Sequence, residues 1–283
     1  MTEKMGYLAA DALQHDLDET RVIYEHLLAD LTPAQWERPS GSSERSWRLW
    51  EVVAHLTTVG QGMLKRMDAA LDGNPNLHIP TLQGPQDLRA WNEQQIESYR
   101  AVDRAELQAD FLATFDAMQP YTTADLSTPV RLPVYNRTST VGHFVAWHLS
   151  HSGIIHGAQI PACLGAPPVW EAMSDDLMQR NFYRTISQLS HAYRPDRGGD
   201  LRAAFCFKAA GHTGCVQIGP DGGSYAFSQV DMPGVRVTFD RVDDFFGLLT
   251  GGLDPFPALL RRQMRVSGRF WLLARLSKLF DPT

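Results

Sequence analysis

An all-helical first half and an α+β second half with an antiparallel sheet are what this chain of 283 residues predicts. Its length exceeds the commonest domain size and suits two separate cores. Apolar residues recur at helical spacing through the first half, then give way to a helix and short alternating segments. The change falls after the Pro-rich stretch "LGAPPVW", so the expected domains are residues 1–168 and 169–283.

Four helices are expected first, over about 3–31, 46–72, 85–117 and 139–164, separated by clusters of Pro, Gly, Ser and Asn. Four such helices predict a four-helix bundle. Ser46 suits the N-cap of the second helix and Gly73-Asn74-Pro75 its end, while Thr138 or Ser139 suits the cap of the fourth. A fifth helix, near Glu171 to Tyr193, leads into the strands "LRAAFCFKA", "GCVQIG", "SYAFSQV" and "VRVTFD". "GPDGG" at Gly219–Gly223 carries the chemistry of a hairpin turn and lacks the lysine of a phosphate loop. Helices near Val242–Leu249 and Pro255–Arg261, a strand "QMRVSG" and a closing helix over Arg269–Phe280 complete an α+β pattern.

Composition narrows the function. Hydrophobic residues make up 43% and charged residues 20%, and no uncharged apolar run approaches the roughly 20 residues a membrane helix needs. No membrane insertion is expected. The opening "MTEKMGYLAADALQHDL" lacks the basic-then-apolar layout of an export signal, which predicts a cytoplasmic protein. With a formal charge of −6 and no basic stripe interleaved with aromatics, nucleic acid is not an expected partner. Between Pro255 and Phe280 there is no acid, but there are Arg261, Arg262, Arg265, Arg269, Arg275 and Lys278. A solvated face explains them, and an anionic ligand is the other reading. Cys163, Cys206 and Cys215 are an odd number without CxxC spacing, so they are expected to be reduced.

The chemistry-bearing residues are histidines. In "SWRLWEVVAHLTTVGQGML", Val52, Leu56, Val59 and Met63 recur at three- and four-residue intervals, and His55 falls in the same inward stripe. "WHLSHSGIIHGAQI" places His148, His151 and His156 in an otherwise apolar helix. At about 100° per residue, with His148 at zero, His151 lies about 60° to one side, and Ser152 and His156 about 40° and 80° to the other. One inward histidine is usually a hydrogen-bonded core residue; inward histidines on two helices make a metal site plausible chemistry, because neutral imidazole binds zinc, nickel or iron. His55 and His148 form the expected pair, and His151, an i,i+3 neighbour of His148, ranks above His156 as third ligand.

At these residues the chain resembles the DinB-like superfamily, in particular its mycothiol-dependent maleylpyruvate isomerase type. "SWRLWEVVAHL" resembles the family's second-helix signature, which ends on a metal ligand. Two further ligands four residues apart on the last bundle helix are implied. Laying "HLSHSGII" on the family's H-x-x-H-H-R-G-Q puts His148 on the first ligand and Ser152 on the second. Laying "HGAQI" on H-R-G-Q-I makes His156 the second ligand and again leaves Ser152 in a ligand position. The second half resembles a sterol-carrier-protein type domain, through "LRAAFCFKAAGHTGCVQIGPDGG", "VRVTFDRVDDFFGLLTGGLDP" and "RRQMRVSGRFWLLARLSKLF". That fold implies an apolar tunnel, or a domain that helps bind the thiol cofactor.

The resemblance implies an enzyme in which a divalent metal, zinc before nickel or iron, activates a low-molecular-weight thiol such as mycothiol for attack on a small electrophile or thiol conjugate. Thiol exchange in natural-product or detoxification metabolism fits. His55, His148 and His151 are the expected ligands and catalytic residues; without the metal, His148 or His151 becomes a candidate general base. Asn92, Gln159 and Arg236 are the candidate contacts to the thiol cofactor. The rival reading is a non-catalytic carrier holding an apolar ligand in the second domain. A monomer or homodimer is expected in either case.

Overall fold

The structure, a computed structural model, describes residues 6–41, 46–74, 85–132, 137–232 and 234–280. It is a mixture of helix and sheet in two compact units, Tyr7–Met173 and a second from Ser174 onward. Among the described residues no helix is long and apolar enough to cross a membrane.

The first unit contains α1 (Ala10–Leu28), α2 (Pro33–Trp36), α3 (Leu49–Leu71), α4 (Pro85–Glu97), α5 (Arg104–Met118), α6 (Val141–Ser150) and α7 (Gln159–Leu164), with a hairpin of β1 (Pro129–Leu132) and β2 (Arg137–Thr140) before α6. α1 buries Leu13, Leu17, Tyr24 and Leu28 at four- and seven-residue spacing, the pattern of one helix face. That face meets α5 and α6, while α3 packs chiefly on α5. Tyr24, Phe111, Phe115 and Phe144 lie at the centre, fully buried.

Several boundaries differ from expectation, each for a local reason. α3 begins at Leu49, because the Arg48 backbone N–H donates to Glu51 Oε2 at 2.7 Å; Ser46 therefore precedes the helix. The third expected helix is two helices, since the Asp103 carboxylate accepts from Ala105 N at 2.8 Å and caps a new start. Thr138 and Ser139 belong to β2, and Thr140 is the residue that caps α6. The last helix is interrupted by a π-helical turn over His151–Ile155. Val169–Ala172 stays with the helical unit, where Val169 N donates to Gly157 O at 2.8 Å.

The second unit comprises α8 (Asp175–Ala192), α9 (Pro195–Gly198), β3 (Ala203–Ala209), β4 (His212–Gly219), β5 (Gly222–Ala226), β6 (Gly234–Phe239), α10 (Val242–Thr250), α11 (Pro255–Leu260), β7 (Met264–Gly268) and α12 (Leu276–Leu279). The "GPDGG" turn joins β4 to β5. The sheet order is β5-β4-β3-β6-β7. β6 runs parallel to β3, so the sheet is mixed rather than purely antiparallel: the chain crosses from the β5 edge past β4 and β3 before pairing again. The closing helix is a 3₁₀ stretch over Phe270–Arg275 followed by α12. Phe205 and Phe207 point to one sheet face, against Phe280 and Phe245, and a Cβ on Gly214 would strike Ile186 of α8.

One expectation about the cysteines is overturned. Cys206 and Cys215 are joined by a disulfide, because the antiparallel register of β3 and β4 sets them directly opposite each other. Cys163 is free and buried, and burial raises its thiol pKa to about 11, which leaves it a poor nucleophile.

Candidate metal centre

Three imidazoles converge in the helical unit: His55 from α3, His151 from the π-helical turn, and His156 from the residue that ends it. Their ligand atoms all lie within 4.8 Å of one another. His55 Nε2 and His151 Nε2 are 3.4 Å apart, close to the separation of about 3.3 Å that two nitrogens adopt on tetrahedral zinc with bonds of about 2.0 to 2.1 Å. The ring of His156 is 4.9 Å from that of His55 and 4.6 Å from that of His151.

The backbone explains why this trio forms. Residues five apart on a regular α-helix point about 140° away from each other. Here His156 N donates to His151 O at 3.0 Å, an i→i+5 bond that widens the turn and brings the two side chains onto one face. Gly157 permits it, since a Cβ there would lie 1.9 Å from Gly153 O.

The surroundings suit neutral ligands. Burial, and next the neighbouring His156, hold His55 well below the ordinary imidazole pKa. Burial first, then His156, His55 and His148, do the same for His151. His156 is pushed down to about 4 by burial, partly offset by its hydrogen bond to Gln159. All three lone pairs are therefore available at neutral pH. The His156 Nδ1–H donates to Gln159 Oε1 at 2.8 Å, which leaves Nε2 as the coordinating atom, a familiar device for orienting metal-bound histidine. Trp47 covers one side, its ring 4.8 Å from His55 and 6.3 Å from His156. His151 is half-buried and marks the open side. The donor set and its spacing fit zinc, nickel or iron.

His148 lies elsewhere, and the expected His55–His148 pair gives way to His55, His151 and His156. His148 is fully buried, 4.7 Å from the Phe115 ring. The Thr114 hydroxyl donates to Phe111 O at 2.7 Å, so its oxygen accepts from His148 Nε2–H at 3.3 Å. Gly60 makes the room: a Cβ there would meet His148 Cε1 at 3.1 Å. The extra residue in the π turn rotates His156 inward, while His148, which precedes the turn, packs on Phe115 and Thr114. Ser152, in the family's ligand position, is buried on the α1 side, where its carbonyl accepts from the Tyr24 hydroxyl at 2.6 Å.

The other candidates are dispersed. Asn92 is half-buried on α4 and hydrogen-bonds none of the three histidines among the described residues. Gln159 is engaged with His156. Arg236 is exposed on β6 of the other unit. His156 had a signal in the sequence, the "HGAQI" overlay, but helical angles ranked it below His151.

Burial pushes the His148 pKa down to about 3, which makes the fold acid-sensitive. Below the ordinary value of about 6.5 the unfolded chain binds a proton that the folded chain refuses until about pH 3, so stability falls as pH falls across that window. The expected loss is about 1.4 kcal/mol per pH unit per such histidine. Urea unfolding at pH 7, 6 and 5 should show the slope shallower in His148→Gln by that amount.

A helical unit in which three inward histidines converge closely enough to hold a metal ion is what this fold and site define. The chain belongs to the DinB superfamily, whose family model matches residues 16–160. Two crystal structures of the mycothiol-dependent maleylpyruvate isomerase, one a histidine-to-alanine mutant, resemble it in fold. Each is 12% identical, and the match covers 87% of this chain and 90% of that one, with TM-scores of 0.54 and 0.56 for the unmutated and mutant forms. No curated protein matches.

Proposed function

We propose that the chain is a metal-dependent thiol transferase or isomerase, with His55, His151 and His156 as ligands and a low-molecular-weight thiol, mycothiol by analogy with the similar isomerase, as co-substrate. The other substrate is a small electrophile or a thiol conjugate, met in the cytoplasm. α1, α3, α5 and the α6–α7 run form the bundle that carries the site. The observation that carries this reading is the convergence of three neutral imidazoles on one point, with Gln159 fixing the tautomer of His156.

A bound divalent metal supplies deprotonation of a thiol, whose free pKa of about 8.5 leaves only a few per cent ionised at neutral pH. The protein's own groups do the rest. His55 and His151 present Nε2 atoms already 3.4 Å apart, so little reorganisation opposes binding. Trp47 excludes water from one side, and the partly exposed His151 leaves the other open to the incoming thiol. No cysteine of the chain is needed as nucleophile, in keeping with the buried, high-pKa thiol of Cys163.

Elemental analysis of untagged protein purified without chelator should read about one equivalent of zinc, nickel or iron per chain, absent in a folded His55→Ala variant. Mycothiol at about 100 times its Kd should then raise the stability of the loaded protein by about 2.7 kcal/mol and leave the variant unmoved. A protein that carries no metal, or one that mycothiol does not stabilise, overturns the reading.

A further inference from the structure

The Cys206–Cys215 disulfide lies outside the metal centre, in the other unit, and the thiol chemistry proposed above makes no use of it. Its position is unlike that of a structural staple. It bridges residues only nine apart in sequence, on two strands already paired from Ala203↔Ile218 to Ala209↔His212. Closing so short a loop restrains the unfolded chain least.

Its surroundings combine a thin apolar cover with exposed cations. Phe205 and Phe207 turn toward Phe280 and Phe245, and strand alternation puts Cys206 on the opposite face. There Ala204, Cys206 and Cys215 are covered by Val230 and Met232, two partly buried residues of the segment between β5 and β6. Cys206 keeps 6% exposure and Cys215 none. On the same face Arg236 pairs directly with Cys206 across β3 and β6, and Lys208 follows two residues along β3. Both side chains are exposed, whereas Arg265 on the next strand is held by Asp240 at 2.6 Å. Cations beside the sulfur under attack raise the local concentration of an anionic thiol there.

We propose that Cys206–Cys215 is a redox-active pair that exchanges with an anionic low-molecular-weight thiol, attracted by Arg236 and Lys208. The thiolate attacks Cys206 Sγ, forming a mixed disulfide and breaking the Sγ–Sγ bond, and Cys215 leaves as thiolate. A second thiolate attacks the small-molecule sulfur of the mixed disulfide. The products are the oxidised small disulfide and two protein thiols, so two electrons and two protons pass from two thiols to the pair. The reverse sequence re-forms the bond.

The test uses full-length protein with glutathione as the anionic thiol and β-mercaptoethanol as the neutral one. Samples exposed to thiol along a time course in native buffer are quenched with acid and alkylated in denaturant, so that intact mass counts every free thiol, the buried Cys163 included, and detects the mixed disulfide. The expected result is one free thiol in the starting protein, three after exposure to glutathione, and an adduct that peptide mapping places on Cys206. An Arg236→Gln/Lys208→Gln variant should react about threefold more slowly with glutathione and at an unchanged rate with β-mercaptoethanol. Three free thiols before any reductant, opening that occurs only in denaturant, or a variant slowed equally toward both thiols would each overturn the proposal. The metal content of the protein is indifferent to all of these outcomes, so this inference and the proposed function fail separately.

Discussion

Replacing His156 by alanine is expected to empty the metal site while replacing His148 by glutamine is expected to leave it filled. His156 supplies one of three convergent nitrogens; its loss leaves His55 and His151, and metal affinity should fall by about 10²-fold or more. Gln159→Leu removes the acceptor of the His156 Nδ1–H and should cost about 10- to 100-fold, the usual effect of an outer-shell partner. His148→Gln keeps a donor toward Thr114 and removes nothing from the cradle. Competition against a chromophoric zinc chelator reads all three variants, and retention of tight binding in His156→Ala would show that the trio is not the ligand set. Activity should follow occupancy, because the thiol would be activated at the same point.

Gly157→Ala should damage both the fold and the site. A Cβ at this position would lie 1.9 Å from Gly153 O and 2.5 Å from Gly153 C, and these are backbone atoms that no rotamer change can move. The chain must therefore shift the turn that carries the His151 O to His156 N bond. A cost of about 2 to 4 kcal/mol is expected from such a backbone clash, visible as a lower urea midpoint with an unchanged slope. The ring of His156 should also turn away from His151, and metal binding should weaken beyond what the stability loss explains. A variant of wild-type stability would mean that the π turn is not required.

The two substitutions also show where sequence reasoning reached its limit. His55 was legible because α3 is a regular helix, and Val52 and Leu56 declare its inward face. Its placement beside His151 depends on no irregularity of α3. The last helix was different: a count of 100° per residue assumes every backbone bond spans four residues, and one that spans five invalidates each angle after it. Both overlays put Ser152 in a ligand position. The structure instead brings His151, one residue earlier, onto one face with His156 through the π turn, despite their i,i+5 spacing. The cysteines taught the same lesson: spacing excluded a CxxC motif, but only strand register could set Cys206 opposite Cys215.

By itself the sequence determined the division into a helical and an α+β half, the inward position of His55, the strands around "GPDGG", and the superfamily whose signature "SWRLWEVVAHL" carries. These rest on local periodicity and turn chemistry, which a few neighbouring residues decide. The tertiary structure alone decided which histidines meet, that β6 runs parallel to β3, and that two cysteines bond. Each of those depends on where separate segments come together in space, and a single extra residue in a turn or a crossing of the sheet changes that without changing the pattern along the chain.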